Sequence, residues 1–191
     1  MSWLRDSFPA LLLAGLAAMG LPQQSPTGKE WRRVAKSDAA HPAPYTQFGL
    51  AGKFVKWPQA EVSARPIITL DCIPHERAHG SKGEFLQGTV FVGAALKLDY
   101  VEPEEIHGNS YNLMVGVRYT LDNEKMRDEE WPAATDKNSF SIPEDRLKSL
   151  LRAHTVVLSV NESQAGDVSM QFEIPDSGEV AASCGVELRK K

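Results

Sequence analysis

Tyr111-Asn-Leu-Met-Val-Gly-Val-Arg-Tyr-Thr-Leu121 is the stretch that decides the fold class. Tyr111, Leu113, Val115, Val117, Tyr119 and Leu121 fall on one face, and Asn112, Met114, Gly116, Arg118 and Thr120 on the other. Successive side chains of an extended chain leave opposite faces, so alternation of this length predicts a half-buried strand with Arg118 on its outer side.

The same period recurs on either side of it. Residues 155–160 (Thr-Val-Val-Leu-Ser-Val) and 168–174 predict a hairpin around residues 161–167, with Val168, Met170, Phe172 and Ile174 turned inward. Residues 83–92 and 95–101 are β-rich and separated by Gly93, which predicts a second hairpin through a turn that tolerates positive φ. Residues 45–50 and 67–70 are short β-type runs, the second leading into Asp71-Cys72, which places Cys72 at a strand end. The clearest helix is residues 143–153, with Ser141 or Ile142 before it and Pro143 in its first turn. Acids follow Pro143, and Leu147, Leu150 and Leu151 lie on one side. A short terminal helix over 178–186 carries Cys184. Many short strands with turns between them predict a mostly β protein, an antiparallel β-sandwich or curled sheet with one or two short helices.

With 191 residues, 42% hydrophobic and 24% charged, the chain has the length and composition of one globular domain. Its net charge of -4 gives no general attraction to phosphate backbones, so nucleic acid is not an expected partner. Near the start, Phe8-Pro-Ala-Leu-Leu-Leu-Ala-Gly-Leu-Ala-Ala-Met-Gly-Leu21 is apolar but shorter than the roughly 20 residues a membrane-spanning helix needs. That length suits a secretory signal; the competing reading is a short buried or surface-anchoring helix. The organisation read from this is a signal over residues 1–21, a polar, proline-punctuated lead-in over 22–44, and a single β-rich domain over 45–191. Within the lead-in, residues 29–34 are the one part able to pair as a strand. No stable membrane span remains once the signal is removed.

The two cysteines, Cys72 and Cys184, are far apart and outside any Cys-x-x-Cys. In an oxidising compartment they form one structural disulfide; in a reducing one they are two buried thiols. Cys72, His75 and His79 are the one cluster of potential metal ligands, but a structural zinc site takes four and no second pair follows. They read as a polar loop with exposed histidines, and no metal or other cofactor is expected. The acidic stretch from Asp99 to Glu130 lacks the Asp-x-Asp-x-Asp-Gly order of a calcium loop and reads as a solvated loop face. No Gly-x-Ser-x-Gly or phosphate-binding loop is present. No catalytic residue is assigned. Asn161-Glu-Ser163 matches a glycosylation sequon, meaningful only in a eukaryotic secretory pathway.

Taken in order, Leu70-Asp71-Cys72, Val115-Gly-Val-Arg-Tyr119, Trp131, Phe140, the helix over 147–153, residues 156–160, Met170-Gln-Phe172 and Cys184-Gly185 resemble a family of small exported bacterial proteins. That family includes the type VI secretion-associated TagO/VasI-like accessory proteins. Residues 22–66 lie outside the likeness, and the acidic stretch 122–130 departs from the family's pattern. The resemblance implies a periplasmic β-sandwich-like domain without a recognised catalytic centre.

The functional expectation is therefore a non-enzymatic periplasmic or secreted accessory module that binds another protein of the cell envelope. The alternative is a cell-wall or carbohydrate hydrolase working through carboxylates of the acidic segment, Glu129 and Glu130 with Glu104 or Glu105.

Overall fold

The computed structural model describes residues 28–37, 43–57, 65–76, 82–93, 96–100, 113–134, 138–162 and 166–188. The expected signal, Tyr111, His79, Glu104, Glu105 and Ser163 lie outside the described residues. Ten strands form two antiparallel five-stranded sheets. They are β1 (Arg32–Lys36), β2 (Tyr45–Ala51), β3 (Lys53–Lys56), β4 (Ile67–Glu76), β5 (Lys82–Phe91), β6 (Met114–Leu121), β7 (Arg127–Pro132), β8 (Ser139–Ile142), β9 (Thr155–Glu162) and β10 (Gly166–Glu173). Sheet A has the order β1-β2-β4-β5-β8 and sheet B the order β3-β10-β9-β6-β7. Two short helices, α1 (Glu144–Leu150) and α2 (Gly178–Ser183), complete the described fold.

Alternation builds the core. Phe48 and Leu50, Ile68 and Leu70, Val90, Phe140 and Ile142 turn inward from sheet A. Val115, Val117 and Tyr119, Val156, Leu158 and Val160, and Val168, Met170 and Phe172 meet them from sheet B. Burial of this apolar area is the main stabilising term, and it needs both sheets because each buries one face only.

The chain passes from sheet A to sheet B at Gly52, the single residue between β2 and β3. A Cβ there would come within 2.7 Å of the Gln171 carbonyl oxygen and 2.6 Å of the Phe172 ring. Only glycine lets the backbone pass that close. The register of β10 against β3 shifts between Ser169 and Met170, a bulge beside this corner.

The β9–β10 hairpin has the expected inward set, and its pairing extends to Glu162↔Gly166, closing a tighter loop than the residues 161–167 expected. The hairpin expected around Gly93 does not form: β5 pairs with β4 and β8 instead. Gly93, at φ 115°, turns the chain out of sheet A. Leu96 and Leu98 then enter the core, Leu98 bridges Glu162, and the Asp99 N–H donates to the Asn161 carbonyl at 3.1 Å in sheet B. Period-two patterning specifies a strand but not its neighbour.

Cys72 is likewise not at a strand end. β4 runs on to Glu76, with Cys72 between Thr46 and Leu86, and His75 pairing Gly83 rather than sitting in a loop. Pro74 is tolerated because it lies past the last β2 pairing and faces Glu84 on one side only. The stretch read as lead-in contributes β1, which pairs β2 from Arg32↔Gly49 to Lys36↔Tyr45. α1 begins at Glu144 and ends at Leu150, shorter than the expected 143–153, with Pro143 at extended ψ in the N-cap position rather than in the first turn; Ser141 and Ile142 precede it as part of β8. Leu147, Leu150 and Leu151 are buried as expected. Leu147 fits over Gly88, where a Cβ would sit 2.4 Å from Leu147 Cδ2.

Candidate functional site

The acidic stretch, expected as a solvated loop face, contains β7. Its residues 127–132 pair with β6, Val117 opposite Glu129 and Val115 opposite Trp131. Strand period two puts Glu129 and Trp131 on the inner face and Asp128 and Glu130 on the outer one. Glu129 and Glu130, the carboxylates named for a hydrolase, therefore leave opposite faces of one strand.

Glu129 is the centre of a polar cluster at the sandwich margin where α1 packs. Tyr119 donates its hydroxyl to Glu129 Oε1 at 2.9 Å, and the Trp131 indole N–H donates to Oε2 at 3.1 Å. Arg146 on α1 lays its guanidinium across the carboxylate, with Nη2 2.9 Å from Oε1 and Nε within 3.0 Å of both oxygens. Asp145 Oδ2 lies 3.1 Å from Arg146 Nη1. The Tyr119 and Trp131 rings are 5.3 Å apart, Trp131 and Phe140 5.9 Å, so the polar heads stand on an aromatic floor.

Arg146, with further help from Trp131 and Tyr119, holds the Glu129 carboxyl down to about 2, against the opposing effect of burial. Burial, and then the bond to the Glu129 carboxylate, raises Tyr119; the Arg146 guanidinium is raised by Glu129. A carboxylate with such a low pKa and donors on both oxygens is a weak proton acceptor and no proton donor at neutral pH. The cluster ties α1 to β6 and β7 rather than presenting a reactive group. Sequence reading missed Arg146 as the partner, because one residue is on a helix and the other on a strand and no periodicity connects them.

The outer face of sheet B is charged. Arg118, outward as expected, ion-pairs with Asp167 of β10, and Asp167 also lies 3.6 Å from Lys56 of β3. The bond from Arg118 lowers Asp167 and raises Arg118. The outer face of sheet A differs. Across β2, β4, β5 and β8 the registers set Gln47, Asp71 and Gln87 in one row, Gly49, Thr69, Thr89 and Ser141 in the next, and Ile67, Phe91 and Ser139 in a third. Asp71 is the one charged side chain in these three rows on β2, β4, β5 and β8, and it accepts from Gln47 Nε2 at 2.8 Å; at the margin of the same face β1 adds Arg32 opposite Gly49 and Lys36 opposite Tyr45.

Cys72 and Cys184 stand at disulfide distance, Cα atoms 4.9 Å apart and 112 residues apart in sequence. Cys72 is 3% and Cys184 1% exposed. Such a pair is compatible with an oxidising compartment. Among the described residues no group of three or more His, Cys, Asp or Glu is placed to hold a metal ion, and no helix is long and apolar enough to cross a membrane. Comparison with protein-family models, curated proteins and solved structures finds no match to this chain.

Proposed function

We propose that the chain is an exported, non-enzymatic accessory module that works in the periplasm or outside the cell by holding another envelope protein against the outer face of sheet A. The observation that carries this reading is the near-absence of charge across the middle of that face, from β2 to β8, with Arg32 and Lys36 of β1 at its margin. Interface centres are depleted of charged residues and richer in aromatics than the rest of a surface, because each buried charge must be desolvated. The three rows from β2 to β8 carry Thr, Gln, Ser, Ile and Phe with one acid already hydrogen-bonded. The opposite face carries the Arg118, Asp167 and Lys56 network. Export through residues 1–21 and an accessory role like that of the TagO/VasI-like proteins are part of the same proposal.

The test places one arginine on each face. Thr69→Arg or Thr89→Arg is expected to cut recovery of the bound protein from the native envelope fraction at least tenfold, with Ser159→Arg on sheet B as control. Equal recovery from all three variants sinks the docking reading. A reporter fused to residues 1–28 tests the compartment separately, and retention in the cytoplasm overturns the export part.

A further inference from the structure

β1 and β7 are the end strands of sheets A and B, each with one hydrogen-bonded neighbour among the described residues. Such edges present a row of unpaired N–H and C=O groups that another strand can complete. They lie on opposite sides of the sandwich: β7 borders β8, which Phe140 bridges through Ala133, whereas β1 is at the far end of sheet A from β8. One molecule therefore cannot pair them with each other.

Their charges are opposite. β1 carries Arg32, Arg33 and Lys36, and β7 carries Asp128, Glu129 and Glu130 against one base, Arg127, which pairs with Glu124. Arg33 and Glu129 are engaged within the molecule, by Glu179 and Arg146. Arg32, Lys36 and Glu130 have no ion-pair partner among the described residues, and Asp128 has one distant contact, 3.9 Å from Arg118 Nε. Period two puts Arg32 and Lys36 on one face of β1, and Asp128 and Glu130 on one face of β7. An antiparallel register with Lys36 opposite Asp128 sets Glu130 opposite Val34, diagonal to both cations and within reach of their long side chains.

We propose that this protein self-associates head to tail, β1 of one copy adding antiparallel to β7 of the next. Two β1 edges, or two β7 edges, would bring like charges together, so the contact is heterologous. A heterologous contact propagates as an open chain unless its rotation closes a ring. Strands of five and six residues bury less than the roughly 1,200 Å² of a stable interface, so the association is weak and concentration-dependent. The inference is independent of the docking face on sheet A. The opposing reading is that the charges serve only to keep edges apart, and it requires a monomer.

Sedimentation velocity on the natively purified protein decides between them. Self-association is expected to rise with concentration and to fall about tenfold or more between roughly 20 mM and 300 mM salt, as screening shortens the reach of the charges. Arg32→Glu with Lys36→Glu, and separately Glu130→Lys, should each sediment as monomers with unchanged circular dichroism. An equimolar mixture of the two should associate again, because the unaltered acidic β7 of the first variant then meets the unaltered basic β1 of the second. A wild type that stays monomeric to about 1 mM at low salt overturns the proposal. So does association that neither salt nor charge reversal alters, as contact through an apolar face would show.

Discussion

Arg146 Nε lies 3.0 Å from Glu129 Oε1 and 2.9 Å from Oε2, so one guanidinium on α1 straddles one carboxylate on β7. The side chains are one-third and one-quarter exposed, and the pair joins the helix to the last strand of sheet B. Arg146→Ala leaves the carboxylate with Tyr119 and Trp131 as its remaining donors. We expect a loss of roughly 1–3 kcal/mol, between the values for exposed and buried pairs. Arg146→Lys should recover only part of it, because an ammonium cannot fork across both oxygens. Thermal unfolding of the three proteins checks this.

The same carboxylate sets an acid limit. Its folded pKa, about 2, is below the ordinary 4.5. A depressed carboxylate contributes stability that is fully present above the ordinary value and is lost as pH falls through the folded one. The unfolding free energy should drop by about 2 kcal/mol between pH 4.5 and 2 on this account, discounted for partial exposure. Glu129→Gln should be less stable at neutral pH and show a flatter slope over that window. An identical slope in the variant would mean other carboxylates set it.

Cys72, on the inner face of β4, and Cys184, at the end of α2, tie a central strand to the last helix across 112 residues. Closing a loop of that size restricts the unfolded chain by a few kcal/mol. Cys72→Ser and Cys184→Ser should lower the unfolding midpoint alike, by roughly 2–4 °C per kcal/mol. Two free thiols in the non-reduced protein by mass spectrometry, or widely different mutants, would refute the bridge.

Gly52→Ala forces a methyl to within 2.7 Å of a backbone carbonyl that cannot move without breaking the β3–β10 pairing. A cost of about 1–3 kcal/mol is expected, as for other overpacked sites. Gly116→Ala, with no atom within 4 Å of the new Cβ, should be neutral or stabilising by a few tenths of a kcal/mol. Denaturant midpoints of the pair measure the difference directly.

Asp122 adopts φ 52°, and its Oδ1 accepts the backbone N–H groups of His154 at 2.7 Å and Thr155 at 2.8 Å. Asp122→Ala loses both bonds while keeping the unfavourable φ, and should cost roughly 1–2 kcal/mol. Asp122→Gly relieves the backbone and should cost less. The order of the two melting temperatures is the check.

Features that repeat within a short window were legible in the residues alone. Val115, Val117, Tyr119 and Leu121 alternate and are buried on β6; the β9–β10 inward set and the Leu147, Leu150 and Leu151 stripe are equally local. Each follows from a strand or helix burying one face, which needs no knowledge of the neighbour. The two cysteines were legible as a pair because there was no other pairing to choose. Tertiary structure alone decided that β5 lies between β4 and β8, that the chain changes sheets at Gly52, and that β7 replaces a loop in the acidic stretch. The polar residues of Arg127–Pro132 carry little β signal of their own, and pairing with β6 together with burial of Trp131 overrides their preference. Arg146 reaching Glu129, and the charge-poor rows on sheet A, arise only when distant strands are set side by side, since register depends on how the two faces bury against each other and no window of sequence contains both partners.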